Sequence, residues 1–385
     1  MHPDYFHKKI NQSNKDLPNH PKKREKETEG KFLRRFSGHK DSIMSINIHP
    51  IISNLFLSGS SDGNIRLWLN NKRKSIYSFQ PNSSKILDLS VDFKGKQFLS
   101  CSGDGTIGIW NFSNPKKRGK IYLSKSENFK TIKSFPGDFL FATGGKELIM
   151  WDQKNFRPIQ RLMWGVGSIS KIDFNKNEPN LLSSLCCDRS IIIYDLRIKN
   201  PIKKIFLEMM SNDISWNPGV SHDFVVANEN SNIYTFDLRN IIKPKKIYKD
   251  HVMSVNCLEH GSAGDSLLTG SSDTTARLYN LKVDRLVNVF YSERMKRILD
   301  IKFLLDQNFF LTGSDDSNLR IWKKNNSQKT KDNKLAIVSN CSSLYRSFLP
   351  RKLRSLEILK KNLLKKRNNK TSKVEKHFLP GFLKF

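Results

Sequence analysis

Seven times along the chain a turn built on Asp, Gly or Asn runs into an apolar stretch that stops at an aromatic residue. SDGNIRLW ends at Trp68, GDGTIGIW at Trp110, GGKELIMW at Trp151, CDRSIIIY at Tyr194, ENSNIYTF at Phe236, SDTTARLY at Tyr279 and DDSNLRIW at Trp322, at intervals of 42, 41, 43, 42, 43 and 43. One period of this length holds four short strands and cannot bury its own apolar face, so copies must stack on one another. Seven copies with alternating runs split by Gly, Asn, Asp and Pro predict an all-β, seven-bladed propeller. The expected organisation is a basic polar extension over 1–30, the propeller over 31–339 and a basic helical tail over 340–385.

The repeat resembles that of the WD-repeat family, which has Gly-His early in each copy and Trp-Asp at the end of the third strand. Six residues before each aromatic the family expects a turn Asp, and here stand Asp62, Asp104, Gly145, Asp188, Asn230, Asp273 and Asp316. Ten before it a Ser or Thr is expected; Ser58, Ser100, Ser184, Thr269 and Thr312 fit, whereas Phe141 and Val226 do not. A buried carboxylate needs partners, so Asp, hydroxyl and aromatic should be tied together, with His39 joining in blade one and His251 in blade six. Blades three and five lack both polar members and are expected to rely on packing. The ring can be closed by KFLRRFS (31–37) or KLAIVS (334–339) as the missing outer strand; the first is the expected one.

The stretch LCCDRSIIIYDLR (185–197) poses a question of chemistry. Its paired cysteines could mark a metal or redox site, but the chain's five cysteines form no Cys-x-x-Cys pair and are odd in number, which points away from a disulfide framework or a zinc cluster and toward a reducing compartment. Cys186 and Cys187 are read as packing thiols on one strand, and Asp188 as a carboxylate bonded into its own blade. No cofactor or metal is expected.

Charge then separates the two ends of the ring. The chain carries 67 Lys and Arg against 36 Asp and Glu, a net +31, which draws it to polyanions. In a four-stranded meander the loops joining strands one to two and three to four leave on one face. NKRK (71–74), PKKRGK (115–120), KNPIKK (199–204), KPKK (243–246) and KKNN (323–326) follow the aromatic positions, so that face should be basic, and the face with the Asp turns less so. Lys116, Lys117 and Arg118 are candidate RNA contacts there. The alternative is a lysine-rich coding bias spread over every solvated surface.

Beyond Trp322 the composition shifts, with 18 Lys and Arg against 3 acids in residues 323–385. Within it Leu349, Leu353, Leu356, Leu359 and Leu363 form a helical stripe, with Pro350 tolerable in the first turn. Arg351, Lys352, Arg354, Lys360, Lys361, Lys365, Lys366 and Arg367 fill the other faces. Such a helix suits RNA phosphates, a partner, a membrane surface or the propeller's own rim. PKKR (21–24) and KKNLLKKR (360–367) also resemble nuclear import signals. No apolar run approaches a membrane span and the first residues lack a signal peptide's apolar core, so the chain is expected to stay on the side of the membrane where it is made.

Longer stretches narrow the resemblance. LMWGVGSISKIDFNKNEPNLLSSLCCDRSIIIYDLR (162–197), ISWNPG (214–219), ANENSNIYTFDLRN (227–240), DHVMSVN (250–256) and GSDDSNLRIWK (313–323) look like the Sof-type, suppressor-of-fibrillarin, family. Its basic tail often has a Leu-Pro before a basic helix and a final Lys-His; Leu349-Pro350 and Lys376-His377 stand in those places. Here the tail is shorter, and the His-rich run before Leu-Pro is reduced to Tyr345-Arg346-Ser347. The resemblance implies a nucleolar, non-enzymatic component of the small-subunit processome, monomeric within it. It would act with pre-ribosomal RNA, the U3 small nucleolar ribonucleoprotein and other processome proteins in making 18S ribosomal RNA.

A second reading is a substrate receptor of a cullin-4 ubiquitin ligase, whose adapter-docking motif resembles Trp-Asp-x-Arg. Tyr194-Asp195-Leu196-Arg197 and Phe236-Asp237-Leu238-Arg239 match on two consecutive blades with Tyr and Phe for Trp, so Asp195, Arg197, Asp237 and Arg239 are docking candidates. The alternative role for these residues is a local salt bridge capping a strand. A third reading is a scaffold of another nuclear ribonucleoprotein. No Gly-x-Ser-x-Gly, Walker A or His-Glu-x-x-His motif suggests an enzyme.

Overall fold

The computed structural model describes residues 31–324, apart from 73, 82–83, 114–118, 124–127, 165–166 and 199. In these residues 28 strands, from β1 (Lys31–Phe36) to β28 (Leu319–Lys323), form seven four-stranded antiparallel sheets, and no helix occurs among them. The fold is a seven-bladed β-propeller. Blade one holds β2 (Ile43–Ile48), β3 (Leu55–Ser60), β4 (Ile65–Leu69) and β5 (Tyr77–Phe79), and blades two to six repeat the order.

Burial follows position in the blade. All six residues of β3, LFLSGS, are buried, because an inner strand has a neighbouring blade on each side. The outermost strand of blade four, β17 (Pro201–Phe206), has its side chains half or fully exposed. Outer edges left open to solvent are blunted by Pro158, Pro201, Lys203 and Lys204, or cut to three residues as in β5 and in β21 (Lys246–Tyr248). The apolar clusters span blade interfaces: Leu57 and Leu67 of blade one pack with Ile86 and Leu89 of blade two, and Ala142 and Leu148 of blade three with Ile169 and Ile172 of blade four.

The N-terminal strand closes the ring. In blade seven β26 (Ile298–Phe303) and β27 (Phe309–Ser314) lead to β28, and β28 pairs with β1 from Lys31 opposite Lys323 to Phe36 opposite Leu319. Phe36 then packs edge-on against Phe56 and Trp68 of blade one. This is the first of the two closures considered from sequence; residues 334–339 lie outside the described residues.

Around the axis the innermost strands share a register. β2, β6 (Ile86–Val91), β10 (Thr131–Ser134), β14 (Ile169–Phe174), β18 (Ser211–Trp216), β22 (Val255–His260) and β26 place Ser45, Asp88, Thr131, Lys171, Asp213, Cys257 and Asp300 at equivalent positions. Three of these are aspartates, and each accepts the N–H of the next blade's inner strand. Asp88 takes that of Ile132 at 3.1 Å, Asp213 that of Leu258 at 2.7 Å, and Asp300 that of Ile46 at 2.5 Å across the closure. A strand N–H facing a neighbouring blade has no ladder partner, so a carboxylate at this register satisfies it and fixes the angle between blades.

Candidate binding faces of the propeller

The blade networks set the rigidity of the loops they hold. In blade one the His39 ring sits between Ser58 Oγ at 2.7 Å and Asp62 Oδ2 at 3.3 Å, and the Trp68 indole donates to the same Ser58 at 2.8 Å. Blade six repeats this with His251, Thr269 at 2.7 Å and Asp273 at 2.8 Å. Burial lowers the pKa of both imidazoles against the pull of their aspartates. Burial alone would raise Asp273, but the His251 ring, Thr275 and Arg277 bring its carboxyl down to about 2. In blades two and seven Trp110 donates to Ser100 and Trp322 to Thr312 without a histidine. Asp316 is held instead by Arg320, whose buried guanidinium also reaches the Arg294 carbonyl.

Three expectations need correction. Asp188 is not buried: its side chain is 21% exposed, and it bonds to Ser190 and Lys204 rather than to a hydroxyl–aromatic pair. Asp104 is exposed and closes only a local turn onto Thr106. Blade three does keep a polar member, since Trp151 donates to Thr143 at 2.7 Å. Its turn between second and third strands is two residues shorter, so Thr143 opposes Ile149 where Ser58 opposes Arg66, and a fixed count of ten back lands on Phe141, which stacks on Trp151. Blade five rests on the stacked Phe224 and Phe236 rings.

Cys186 and Cys187 also part company. Cys186 ends its strand and is buried, whereas Cys187 lies in the turn, half-buried, with its Sγ 3.2 Å from Ser168 Oγ and 3.6 Å from the Lys130 ammonium.

Loop charge differs between the two faces. On the lower face, reached by the one-to-two and three-to-four loops, described loop residues carry eleven Lys and Arg against six acids. On the upper face, reached by the two-to-three and blade-to-blade loops, the ratio is nine to twelve. Not every basic cluster stands free. Lys245 pairs with Asp223 at 2.8 Å, Lys246 with Asp284, and Lys282 with Asp265 at 2.7 Å around a cleft of about 410 Å³ between blades five and six. Lys203 and Lys204 lie on the outer strand β17 rather than in a lower loop, and Lys204 reaches up to Asp188. Lys116, Lys117 and Arg118, with Arg351, Lys352, Arg354, Lys360, Lys361, Lys365, Lys366 and Arg367 of the tail, lie outside the described residues.

The two Asp-x-Arg motifs make matching forks at the lower ends of consecutive blades. Arg197 Nε and Nη2 lie 3.0 and 3.1 Å from the two oxygens of Asp195, and Arg239 repeats this on Asp237 at 3.1 and 2.9 Å. Both guanidiniums are mostly in solvent, at 65% and 70% exposure, so each local pair leaves a flat cation displayed to a partner.

Sequence reasoning missed the three inter-blade aspartates and the lysines between them. Lys171 lies 3.4 Å from Asp88, and Lys302 pairs with Glu259. Asp213 is pushed up to about 6 by burial, against the fields of Lys171 and Lys302. A signal existed: ILDLSV, SNDISW and ILDIKF each set an Asp inside an apolar strand at one register.

Comparison with known proteins agrees with this architecture. The family described as WD domain, G-beta repeat matches residues 30–68, 73–111, 242–280 and 285–323, the first two and last two blades of the repeat. DDB1- and CUL4-associated factor 13 of Xenopus tropicalis is 34% identical over 304 residues, covering 77% of this chain and 68% of that protein. Protein SOF1 of Saccharomyces cerevisiae is 32% identical over 312 residues, 74% of this chain and 64% of that protein. The human DDB1- and CUL4-associated factor 13 is 32% identical over 307 residues. Seven blades, the His–Asp–hydroxyl networks of blades one and six and these identities over three quarters of its length make the chain a member of the Sof-type family of WD-repeat proteins.

Proposed function

We propose that this protein is a non-catalytic scaffold of the small-subunit processome. It would associate in the nucleolus with the U3 small nucleolar ribonucleoprotein and pre-ribosomal RNA, and be needed for processing to 18S ribosomal RNA. The observation that carries the reading is the sorting of loop charge: a basic lower face opposite an acidic upper one suits a ring that lays one side on a polyanion and turns the other toward proteins. The likeness to SOF1 and the basic composition of residues 323–385 support it. The bonds that tie each blade to the next, such as those of Asp88, Asp213 and Asp300, suit a platform that positions RNA and partners.

The test is depletion of the protein with rescue by the full chain or by variants in which lower-face lysines are replaced by Glu. Precursor RNA is followed by hybridisation on either side of the 18S sequence. Accumulated precursor that the full chain clears and the Glu variant does not is the expected result. Unchanged precursor on depletion would overturn the reading.

One observation favours a second reading, docking to a cullin-4 ligase adapter. The Asp195–Arg197 and Asp237–Arg239 forks display exposed guanidiniums at the same end of consecutive blades, and several relatives bear a name that associates them with DDB1 and CUL4. Co-purification of an adapter with the tagged protein, lost on changing both arginines to Ala, would establish it.

A further inference from the structure

The seam between blades two and three on the lower face combines cations with accessible aromatic rings. Phe93, in the first loop of blade two, and Phe139, at the end of the equivalent loop of blade three, lie with ring centroids 5.8 Å apart and are half-buried. The exposed Lys94 ammonium stands 5.0 Å from the Phe93 centroid and 4.3 Å from that of Phe139. The Lys154 ammonium, also exposed, is 5.1 Å from Phe139. Lys120, at the start of β9 (Lys120–Leu123), donates to the Lys154 carbonyl at 2.5 Å and so holds a third ammonium at the Lys154 backbone.

The seam is firm underneath. Gln153 donates to Gln97 across the two blades at 2.8 Å, and Gly95, held by the Asp92 carbonyl, accepts from His49 of blade one at 2.9 Å. Asp92 is buried beneath the loop, and Asp138 is the one exposed acid in these two first loops. Among the described residues neither Lys94 nor Lys154 forms an ion pair, in contrast to the cleft between blades five and six, where each of three lysines faces an aspartate.

We infer that this seam is a binding site for single-stranded RNA, with a base stacked on Phe139 and the flanking phosphates taken by Lys94, Lys154 and Lys120. The exposed lysines over these rings can swing aside for a base, as among the described residues nothing but the ring holds them there, and their ammoniums then stand where a stacked nucleotide carries its phosphate. Duplex RNA offers phosphates but no free base face, and a run of Asp and Glu side chains offers charge but no ring. The aromatic pair therefore selects the unpaired strand. The assignment rests on the polyanion-facing reading of the lower face and specifies where, and to which form of RNA, that face binds.

The test uses the full chain, a fluorescein-labelled uridine-rich single strand and a duplex of the same length, titrated by anisotropy over a salt series. Phe139→Leu should weaken the single strand by roughly tenfold while leaving duplex affinity and salt slope unchanged. Phe139→Tyr should restore binding, and melting temperatures identify any variant that fails to fold. Lys94→Ala with Lys154→Ala should flatten the single-strand salt slope by roughly 1.4, two phosphates' worth. Wild-type affinity in a folded Phe139→Leu protein, with the lysine variant still weakened, would overturn the stacking site and leave the RNA-facing reading standing. Absence of any RNA binding by the unaltered chain would overturn both.

Discussion

Replacing Asp273 by Ala should be among the most damaging single changes on the upper face, and its cost can be worked from its contacts. The side chain is 3% exposed and accepts from the His251 ring at 2.8 Å, the Thr275 amide at 2.9 Å and the Thr275 hydroxyl at 2.6 Å. The hydroxyl can turn to another acceptor, but the ring and the amide are left as buried donors without one. At about 1–3 kcal/mol for each orphaned group, partly relieved by relaxation, the loss is about 3 kcal/mol. Asp104→Ala removes an exposed carboxylate bonded only to Thr106 and should cost below about 1 kcal/mol. The two sites occupy the same place in the repeat, so the contrast isolates burial. Thermal unfolding of the purified full-length variants measures it, and equal shifts for the two, or a neutral Asp273→Ala, would refute the reasoning. The pH dependence gives a second reading of the same site. With the folded carboxyl at about 2, below its unfolded value, its contribution of about 2 kcal/mol is whole above about pH 4 and fades as pH falls toward 2. The lowered pKa of the buried His251 acts in the same direction from about pH 6.5 downward, since only the unfolded chain readily takes the proton. Asp273→Ala should therefore approach the parent's stability as pH falls from about 4 toward 2, where the parent carboxyl takes up its proton.

Asp213→Asn should stabilise the protein at pH 8 and much less at pH 5. The parent carboxyl, at about 6, is ionised at a desolvation cost only above that value, and the Asn carbonyl can still accept the Leu258 N–H; an unchanged difference between the two pH values would contradict this. Asp188→Ala, on a partly exposed turn, should lower stability by about 1 kcal/mol or less, and a loss as large as that of Asp273→Ala would show its burial to be greater than described. Changing Arg197 and Arg239 to Ala should leave melting unaltered and abolish adapter co-purification if the forks serve a ligase, whereas precursor RNA accumulating with a folded protein would tie this edge to assembly. Changing Lys365, Lys366 and Arg367 to Glu should weaken RNA association and reduce its salt slope, and equal affinities and slopes would relegate the tail to another task.

What could be read from sequence was what each blade encodes locally. The aromatic at the end of the third strand and the turn before it recur because every blade needs the same corner, so the period, the seven blades and closure through residues 31–37 were legible. Counting by fixed offset failed where a turn changed length: two residues fewer before Leu148 hid Thr143 behind Phe141. Burial of the turn aspartates was overread for a different reason. Asp62 and Asp273 are enclosed because a histidine from the preceding loop covers them, and Asp104 and Asp188 have no such cover. The inner aspartates act across blades some 43 residues apart, as from Asp88 to Thr131, and strand periodicity within one repeat cannot reveal the N–H they satisfy in the next. Basic clusters were legible as composition, but which of them are already neutralised, such as Lys245 by Asp223, depends on pairings 22 residues apart that only the folded loops bring together.

The central claim is that the lower face carries RNA. Crosslinking a tagged copy in cells and sequencing the attached RNA tests it most directly. The account predicts reads concentrated on the small-subunit ribosomal precursor and its guide RNA, reduced when Lys94, Lys154 and Phe139 are replaced together; RNA no higher than background, with ligase adapters recovered instead, would contradict it.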